Sequence, residues 1–374
     1  MLFIMVSTLT AYLVLGRWSG IASAQGRREL AGVTNGSTLP AGVSLKVDIR
    51  ISIPGFWPLP YVTVKDRLVR KGGDVQLYEG TFVPDWKRRG ELSYETPPLN
   101  RGLYRYEDIE CATKDIFGLF EHKGTVSVPV SFSVLPRTIH IPEWRQLHTL
   151  FKGHRNQSAI HGTHRETTQI NGVREYIYGD RLSRVHWNAT ARTGTWKSKE
   201  FERESLPKIT VLLDRCSAAY RSKEQFELAV SACASMVEFC VHRGMSVGFI
   251  SHGEHEKFFE PPGRSESRKR IQRHLIEVQP EAKCDLLQLL RDRDRLPPGD
   301  SLVLVVSPQR GEAVGKLLHT LQLRGLGACY LWLNADGNGK GKDEWVIAMR
   351  GKGISVYPIG RLEDLPAVLG GRSL

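Results

Sequence analysis

The sequence contains no Cys-x-x-Cys pair, no long run of lysine and arginine, and no zinc-finger or RNP signature. These absences remove the short motifs by which zinc sites, redox dithiols and RNA-binding modules are recognised. Cys233 and Cys240 lie seven residues apart in a helix-like stretch, which is too far for a disulfide. We therefore expect the cysteines to be buried and unpaired in a reducing compartment, on the cytosolic side of a membrane. The six cysteines are Cys111, Cys216, Cys233, Cys240, Cys284 and Cys329.

The sequence also lacks an apolar run of the ~20 residues that a membrane-spanning helix needs. The apolar stretch at the N terminus, Leu2–Leu15, is shorter and allows two interpretations. A small-x-small site at residues 22–24 suggests a signal peptide, but no basic residue precedes the stretch. A basic flank follows it instead, which by the positive-inside rule places the downstream chain in the cytoplasm. We predict a membrane anchor over residues 1–22 at the cell membrane, followed by the flank Arg17, Arg27 and Arg28.

Acidic residues are outnumbered, since 52 lysines and arginines face 40 aspartates and glutamates and give a net charge of +12. Such an excess favours an acidic partner, which could be nucleic acid, anionic lipid or a protein surface. The excess could equally be spread over solvated faces, because basic residues occur throughout the chain. With 374 residues and 41% hydrophobic residues, the chain is large enough for two domains with buried cores.

Short strands with turn punctuation dominate the first half of the chain. In Ser44–Ile51 apolar and polar residues alternate, which predicts a strand with one buried face. Several such strands follow without an intervening helical pattern, and glycine pairs such as Gly72-Gly73 separate them. We predict an antiparallel, immunoglobulin-like β-sandwich over residues 28–140.

From Lys208 onward, continuous apolar strands alternate with amphipathic helices. Ile209–Leu213 and Ser301–Val306 are apolar runs, and Glu224–His242 carries apolar residues at helical spacing. Buried strands between helices are typical of a parallel sheet that is covered on both faces. The predicted class is therefore α/β plus β, with a doubly wound α/β domain over residues 208–374.

The segment between these domains, predicted over residues 141–207, carries the most specific motif. Gly172–Phe201 contains in order R-E-Y, G-D, R-x-H-W, A-x-A-R and K-E-F. This order resembles the signature of the bacterial DUF58 family. Asp115–Phe120 resembles the D-P-F-G-L-F run of the same family, with Ile116 in place of proline. The resemblance extends over nearly the whole chain and implies that residues 208–374 are similar to von Willebrand A domains.

Charged and aromatic residues cluster in this signature. The arginines and carboxylates of the signature could form charge-assisted hydrogen bonds in a docking surface or in a pocket for an anionic group. The alternative is a structural clasp anchored by Trp187 and Tyr176. A hydrolase that uses Asp180, His186 and Ser183 is a further alternative, although closeness in sequence does not establish a triad. The candidate binding residues are Arg174, Glu175, Asp180, Arg184, His186, Trp187 and Arg192.

The resemblance also raises the question of a metal. Von Willebrand A domains often hold Mg²⁺ through a D-x-S-x-S loop, but here Cys216 and Ala218 replace the two serines that follow Asp214. Ser307-Pro308 follows the later strand, where an acidic ligand is expected. We expect neither a metal nor another cofactor, and we interpret His161 and His164 as part of a solvated loop.

The function implied by the DUF58 resemblance is that of an interaction or adaptor protein at the inner face of the membrane rather than an enzyme. The implied partner is a MoxR-type AAA+ ATPase, with a transglutaminase-like membrane protein as a second partner. Two alternatives remain open: a hydrolase that uses Asp180 and His186, and a binder of anionic lipid or, less favoured, nucleic acid.

Overall fold

The chain is a mixed α/β protein with many strands, and it divides into two compact units. The N-terminal unit comprises Met1–Thr138 and Gln272–Gln279, and the C-terminal unit comprises Ile139–Ile271 and Pro280–Leu374. The computed structural model describes residues 1–15, 19–56, 58–114, 120–147, 164–178, 182–205, 208–260, 264–281, 286–290, 297, 301–334 and 344–370.

The first helix, α1, spans Leu2–Leu15 and has 14 residues. At 1.5 Å per residue it is ~21 Å long, shorter than the ~30 Å hydrocarbon core of a bilayer. Among the described residues, no helix combines the length and apolar character needed to cross a membrane. The predicted membrane segment over residues 1–22 is therefore wrong. Ile21, which that prediction placed in the anchor, is 1% exposed in the hydrophobic core of the N-terminal unit.

Ten strands build the N-terminal unit in two sheets. One sheet has the order β1-β3-β6, and the other has the order β2-β10-β7-β4-β8-β9, with β5 paired to β4. The pairs are antiparallel except for β2 with β10. The strands are β1 Gln25–Leu30, β2 Thr38–Pro40, β3 Lys46–Ser52, β4 Val62–Arg70, β5 Val75–Phe82, β6 Arg89–Glu95, β7 Gly102–Tyr106, β8 Ile109–Lys114, β9 Glu121–Val126 and β10 Val130–Leu135.

Both sheets contribute to one core. In β3, the alternation predicted over Ser44–Ile51 is confirmed, because Val47, Ile49 and Ile51 are buried between exposed or half-buried residues. They share a hydrophobic cluster with residues of the second sheet, including Val64 of β4. The sheets therefore pack face to face, with polar side chains toward solvent.

A buried ion pair lies inside this unit. Arg28 and Asp66 have fully buried side chains, and the guanidinium reaches both carboxylate oxygens, at 2.5 and 3.1 Å. Arg28 also donates to the carbonyl oxygens of Val128 (2.6 Å) and Glu107 (2.9 Å), and Tyr94 donates to Asp66 (2.6 Å). Arg28 was predicted as part of the basic flank that follows a membrane helix, but its charge is neutralised in the core.

The C-terminal unit contains a six-stranded sheet of order β15-β14-β13-β16-β17-β18. Its pairs are parallel except for the short hairpin of β14 with β15. Strands covered on both faces need apolar residues throughout, and all seven residues of β16 and of β17 are buried. The strands are β11 His164–Glu175 and β12 Lys197–Ser205 outside this sheet, and β13 Lys208–Asp214, β14 Ser246–His252, β15 Lys257–Phe259, β16 Ser301–Ser307, β17 Gly327–Leu333 and β18 Ser355–Ile359 within it.

Helices cover both faces of the parallel sheet. Alternate residues of β16, Val303 and Val305, join a cluster with residues of α5 and α6. The long helix α3 contacts β13, β14 and β16 but contributes nothing to that cluster, so it lies on the opposite face. Among the described residues, the helices that follow α1 along the chain are α2 Trp187–Thr193, α3 Lys223–His242, α4 Arg264–Glu277, α5 Glu312–Leu323, α6 Glu344–Gly351 and α7 Leu365–Leu369.

The cysteines only partly follow the expectation from sequence. Among the residues that the structure describes, the free cysteines are Cys111, Cys233, Cys240 and Cys329, and each of them is buried. Cys216 is disulfide-bonded, so the prediction of unpaired thiols is wrong at this position.

The Arg28–Asp66 pair generates a stability prediction. Replacing Arg28 with methionine leaves the carboxylate of Asp66 buried without its counter-charge, which costs about 3–5 kcal/mol of unfolding free energy. Replacing Glu91 with alanine removes an exposed pair with Arg50 (3.2 Å) and costs at most about 1 kcal/mol. Urea denaturation of the two variants measures both losses. Equal losses would show that Arg28–Asp66 does not stabilise the core.

Candidate functional site

The DUF58-like signature forms an antiparallel hairpin in the C-terminal unit. β11 pairs with β12, and the register brings Glu175 opposite Lys197. The pairing continues one step further, because the backbone N–H of Tyr176 donates to the carbonyl of Trp196 at 2.9 Å. The connection between the strands includes a 3-10 turn at Leu182–Arg184 and the helix α2.

Helix α2 is fixed against β12 by its own ends. The Nδ1 atom of His186 accepts from the backbone N–H of Ala189 at 3.2 Å, so His186 caps the N-terminus of the helix. The backbone N–H of His186 donates to the carbonyl of Lys197 (2.8 Å), and the N–H of Lys197 donates to the hydroxyl of Thr190 (3.0 Å). Gly194 ends the helix with a φ of 69°, a conformation that favours glycine. These contacts hold the helix in one position on the hairpin.

Large apolar side chains of this connection face solvent. Trp187 is 63% exposed and Trp196 is 50% exposed, with ring centroids 6.1 Å apart. Ile177, Tyr178 and Leu182 of the same connection are also exposed. Exposed clusters of this kind mark interaction sites, because they leave apolar area in contact with water. We call Trp187 and Trp196 the aromatic face.

The predicted site residues take up different positions around this face. Arg174 donates to the carbonyl of Glu175 at 2.9 Å, and the carboxylate of Glu175 accepts from Lys197 at 3.1 Å. Arg184 is half-buried at the end of the 3-10 turn, and Arg192 is exposed in the last turn of α2.

One predicted role lies outside the described residues, and another needs revision. Asp180 lies outside the described residues, so a hydrolase that uses Asp180 and His186 stays a prediction. Trp187 is exposed and is not a buried anchor of a clasp within the C-terminal unit. Trp196 and Lys197 were missed, although a tryptophan so close to the helix-ending Gly194 was a visible signal.

A second candidate lies at the carboxyl edge of the parallel sheet. The chain runs from β13 to β14 on one side and returns to β16 on the other, so the sheet has its switch point between β13 and β16. Ligands of α/β sheets bind beyond the carboxyl ends of the strands at such a point. Asp214 ends β13 and Ser307 ends β16, and both are fully buried.

Neighbouring charged groups at this edge are also engaged. The guanidinium of Arg215 contacts the carboxylate of Glu281 at 2.5 Å and donates to the carbonyl of His255. The fully buried ring of His252 lies 2.7 Å from the carboxylate of Glu256. These contacts tie the loops after β13 and β14 together.

The donors at this edge do not fit the Mg²⁺ site that a von Willebrand A resemblance implies. Asp214 accepts from the hydroxyl of Ser307 (2.7 Å), the side-chain amide of Gln309 (3.0 Å) and the backbone N–H of Cys216 (3.0 Å). Cys216 is disulfide-bonded, and Ala218 has no ligand atom. Among the residues that the structure describes, no three His, Cys, Asp or Glu side chains are arranged to hold a metal. His161 lies outside those residues, and His164 is the first residue of β11.

Burial raises the pKa of Asp214 above its ordinary value, and this increase is partly offset by hydrogen bonds from Ser307, Cys216 and Gln309 and by the charge of His252. The folded state therefore keeps the proton to a higher pH than the unfolded state does, and stability falls with rising pH over that interval.

This pKa yields a prediction for Asp214→Asn, which removes the ionisable group and keeps its shape. The unfolding free energy of the unmodified protein minus that of the variant should fall as pH rises from about 4, with a slope of up to about 1.4 kcal/mol per pH unit. Urea denaturation from about pH 4 to pH 8 measures this difference. A difference that stays constant or grows with pH would contradict the raised pKa.

Similarity to known proteins bears on the hairpin and on most of the parallel sheet. Residues 172–326 match the family described as "Protein of unknown function DUF58". The "Uncharacterized protein YeaD" of Bacillus subtilis (strain 168) is 25% identical over 297 residues, which cover 76% of this chain and 69% of that protein.

Solved structures resemble the chain only weakly. Proximal thread matrix protein 1 from the mussel byssus is 18% identical with a TM-score of 0.32, and the match covers 45% of this chain and 47% of that one. The CARDB domain of PF1109 from Pyrococcus furiosus is 14% identical with a TM-score of 0.19, over 30% of this chain and 85% of that one. TM-scores this low do not establish a shared fold. The family match and the Bacillus subtilis relative together support the DUF58 resemblance, and the matched region, residues 172–326, carries the aromatic face.

Proposed function

We propose that the chain is a protein-interaction adaptor that docks its partner on the aromatic face. The observation that carries this proposal is the exposure of Trp187 and Trp196 on a hairpin connection within the DUF58 match. Tryptophan and tyrosine are enriched among the few residues that supply most of the binding energy at protein interfaces. Leaving both indoles in water is unfavourable unless a partner covers them.

Rigidity of the hairpin supports docking. Three features fix the backbone that carries the indoles in the absence of a partner. They are the cap at His186, the bonds between Lys197 and α2, and the helix end at Gly194. A preformed surface loses less conformational entropy on association than a flexible one, so more of the contact energy contributes to affinity.

Charge favours an acidic protein partner. Residues 173–178 and 182–199 contain five basic side chains, at Arg174, Arg184, Arg192, Lys197 and Lys199, and Glu175 as the one acidic side chain. Basic residues around an apolar centre accelerate association with an acidic surface and set orientation. The net charge of +12 acts in the same direction.

The partner that the DUF58 resemblance implies is a MoxR-type AAA+ ATPase, with a transglutaminase-like membrane protein as a second. In this proposal the C-terminal unit is von Willebrand A-like. Its parallel sheet, with helices on both faces, is compatible with that fold. Work at the inner face of the cell membrane stays a prediction from the same resemblance.

The proposal predicts that Trp187→Ala combined with Trp196→Ala weakens binding. Loss of two interface tryptophans costs at least about 2 kcal/mol, which is roughly 30-fold in Kd. Isothermal titration calorimetry with a purified MoxR-type ATPase of the same organism measures the affinity. Because both side chains are at least half exposed, the double variant should unfold at nearly the same temperature as the unmodified protein.

Trp86→Ala is the matched control, since Trp86 is 87% exposed in the N-terminal unit. It should bind the ATPase as tightly as the unmodified protein does. Equal affinity of the double variant and the unmodified protein would remove the aromatic face from the interface. Failure of the unmodified protein to bind the ATPase would exclude that partner.

A further inference from the structure

We propose that Gln309 is an internal substitute for a cation, so that the carboxyl edge of the parallel sheet is locked without metal. The lock consists of Asp214, Ser307 and Gln309, and it joins the ends of β13 and β16 at the switch point of the sheet. This inference is independent of the proposed adaptor function.

The buried carboxylate of Asp214 needs hydrogen-bond donors from within the protein. It is completely buried, so solvent does not satisfy its oxygens. Its Oδ1 atom accepts from the backbone N–H of Cys216, and its Oδ2 atom accepts from the hydroxyl of Ser307 and the side-chain amide of Gln309. A buried carboxylate without such donors would be strongly destabilising.

Hydrogen bonds of neighbouring residues fix the position of Gln309. Its backbone N–H donates to the hydroxyl oxygen of Ser307 at 3.1 Å, and that hydroxyl donates in turn to Asp214. The hydroxyl of Tyr330, on the next strand β17, donates to the carbonyl oxygens of Ser307 (3.2 Å) and Gln309. The indole N–H of Trp332 donates to the carbonyl of Pro308 at 3.3 Å. Two aromatic residues of β17 therefore hold the loop that presents the amide.

Two hydrogen bonds at Oδ2 compete with a cation for that oxygen. A carboxylate oxygen has two lone-pair directions, and here one receives a hydroxyl and the other an amide. A hard cation such as Mg²⁺ needs oxygen ligands with free lone pairs, whereas the amide nitrogen of Gln309 presents hydrogens. The amide of Gln309 therefore occupies a position on Oδ2 that a cation would need, while burial still holds the pKa of Asp214 above its ordinary value.

Thermal unfolding of the full-length chain with and without magnesium tests this inference. The unmodified protein should have the same Tm in excess EDTA and in millimolar MgCl₂, because no cation binds the folded state at this edge. Gln309→Ala should lower the Tm by several degrees, since the buried Asp214 loses a donor. In an Asp214→Asn background, the same change should lower the Tm less.

Gln322→Ala is the matched control, because Gln322 makes an exposed and longer bond, 3.3 Å, to the carbonyl of Gly353. It should leave the Tm nearly unchanged. A Tm of the unmodified protein that rises with MgCl₂, and no longer rises after Asp214→Asn, would overturn the proposal by revealing a cation site. A Gln309→Ala shift no larger than that of Gln322→Ala would also overturn it. The magnesium titration of the unmodified protein decides the question even where Gln309→Ala does not fold.

Discussion

Burial of both faces of the parallel sheet is the constraint on which the C-terminal unit depends. Every residue of β16 and β17 is enclosed, so polar atoms on these strands need partners within the protein, as the hydroxyl of Tyr330 and the indole N–H of Trp332 have. Asp214 meets Ser307 at the strand ends, and the hairpin lies outside the sheet. At the strand ends, burial is again complete and each oxygen of Asp214 is satisfied from within the protein. The sheet thereby becomes a buried scaffold, and in the proposed function the partner docks on the hairpin.

The hairpin has the features that recognition needs. Its connection exposes the apolar side chains of Trp187 and Trp196 to solvent. Hydrogen bonds of His186 and Lys197 fix helix α2 on the hairpin. An apolar centre with basic neighbours on a rigid support favours a protein partner over a small substrate. His186 caps helix α2, and a catalytic role together with Asp180 stays a prediction.

Much of the C-terminal unit could be predicted from sequence, because continuous apolar runs identify buried strands. The predicted strand at Ser301–Val306 is found as β16, Ser301–Ser307, and the helix at Glu224–His242 is found as α3, Lys223–His242. The period of two over Ser44–Ile51 likewise predicted β3. Local periodicity suffices in these cases, since each pattern reflects which face of one element is buried.

Contacts between distant residues could not be predicted in the same way. Arg28 was predicted as part of a basic flank, although it pairs with Asp66, 38 residues away, inside a core. Gln309 reaches Asp214 across 95 residues, and no local pattern indicates this contact. Trp187 was predicted both as a binding residue and, alternatively, as an anchor of a clasp, because only the fold shows which side an aromatic residue faces.

Site-specific photo-crosslinking in cells tests the central claim most directly, because it reports what touches the aromatic face without assuming a partner. A benzoylphenylalanine at position 187 and, for comparison, one at position 86 replace two tryptophans that are both exposed. The account predicts a crosslink from position 187 to a MoxR-type AAA+ ATPase and none from position 86. The absence of a protein crosslink from position 187, or the same product from both positions, would contradict it.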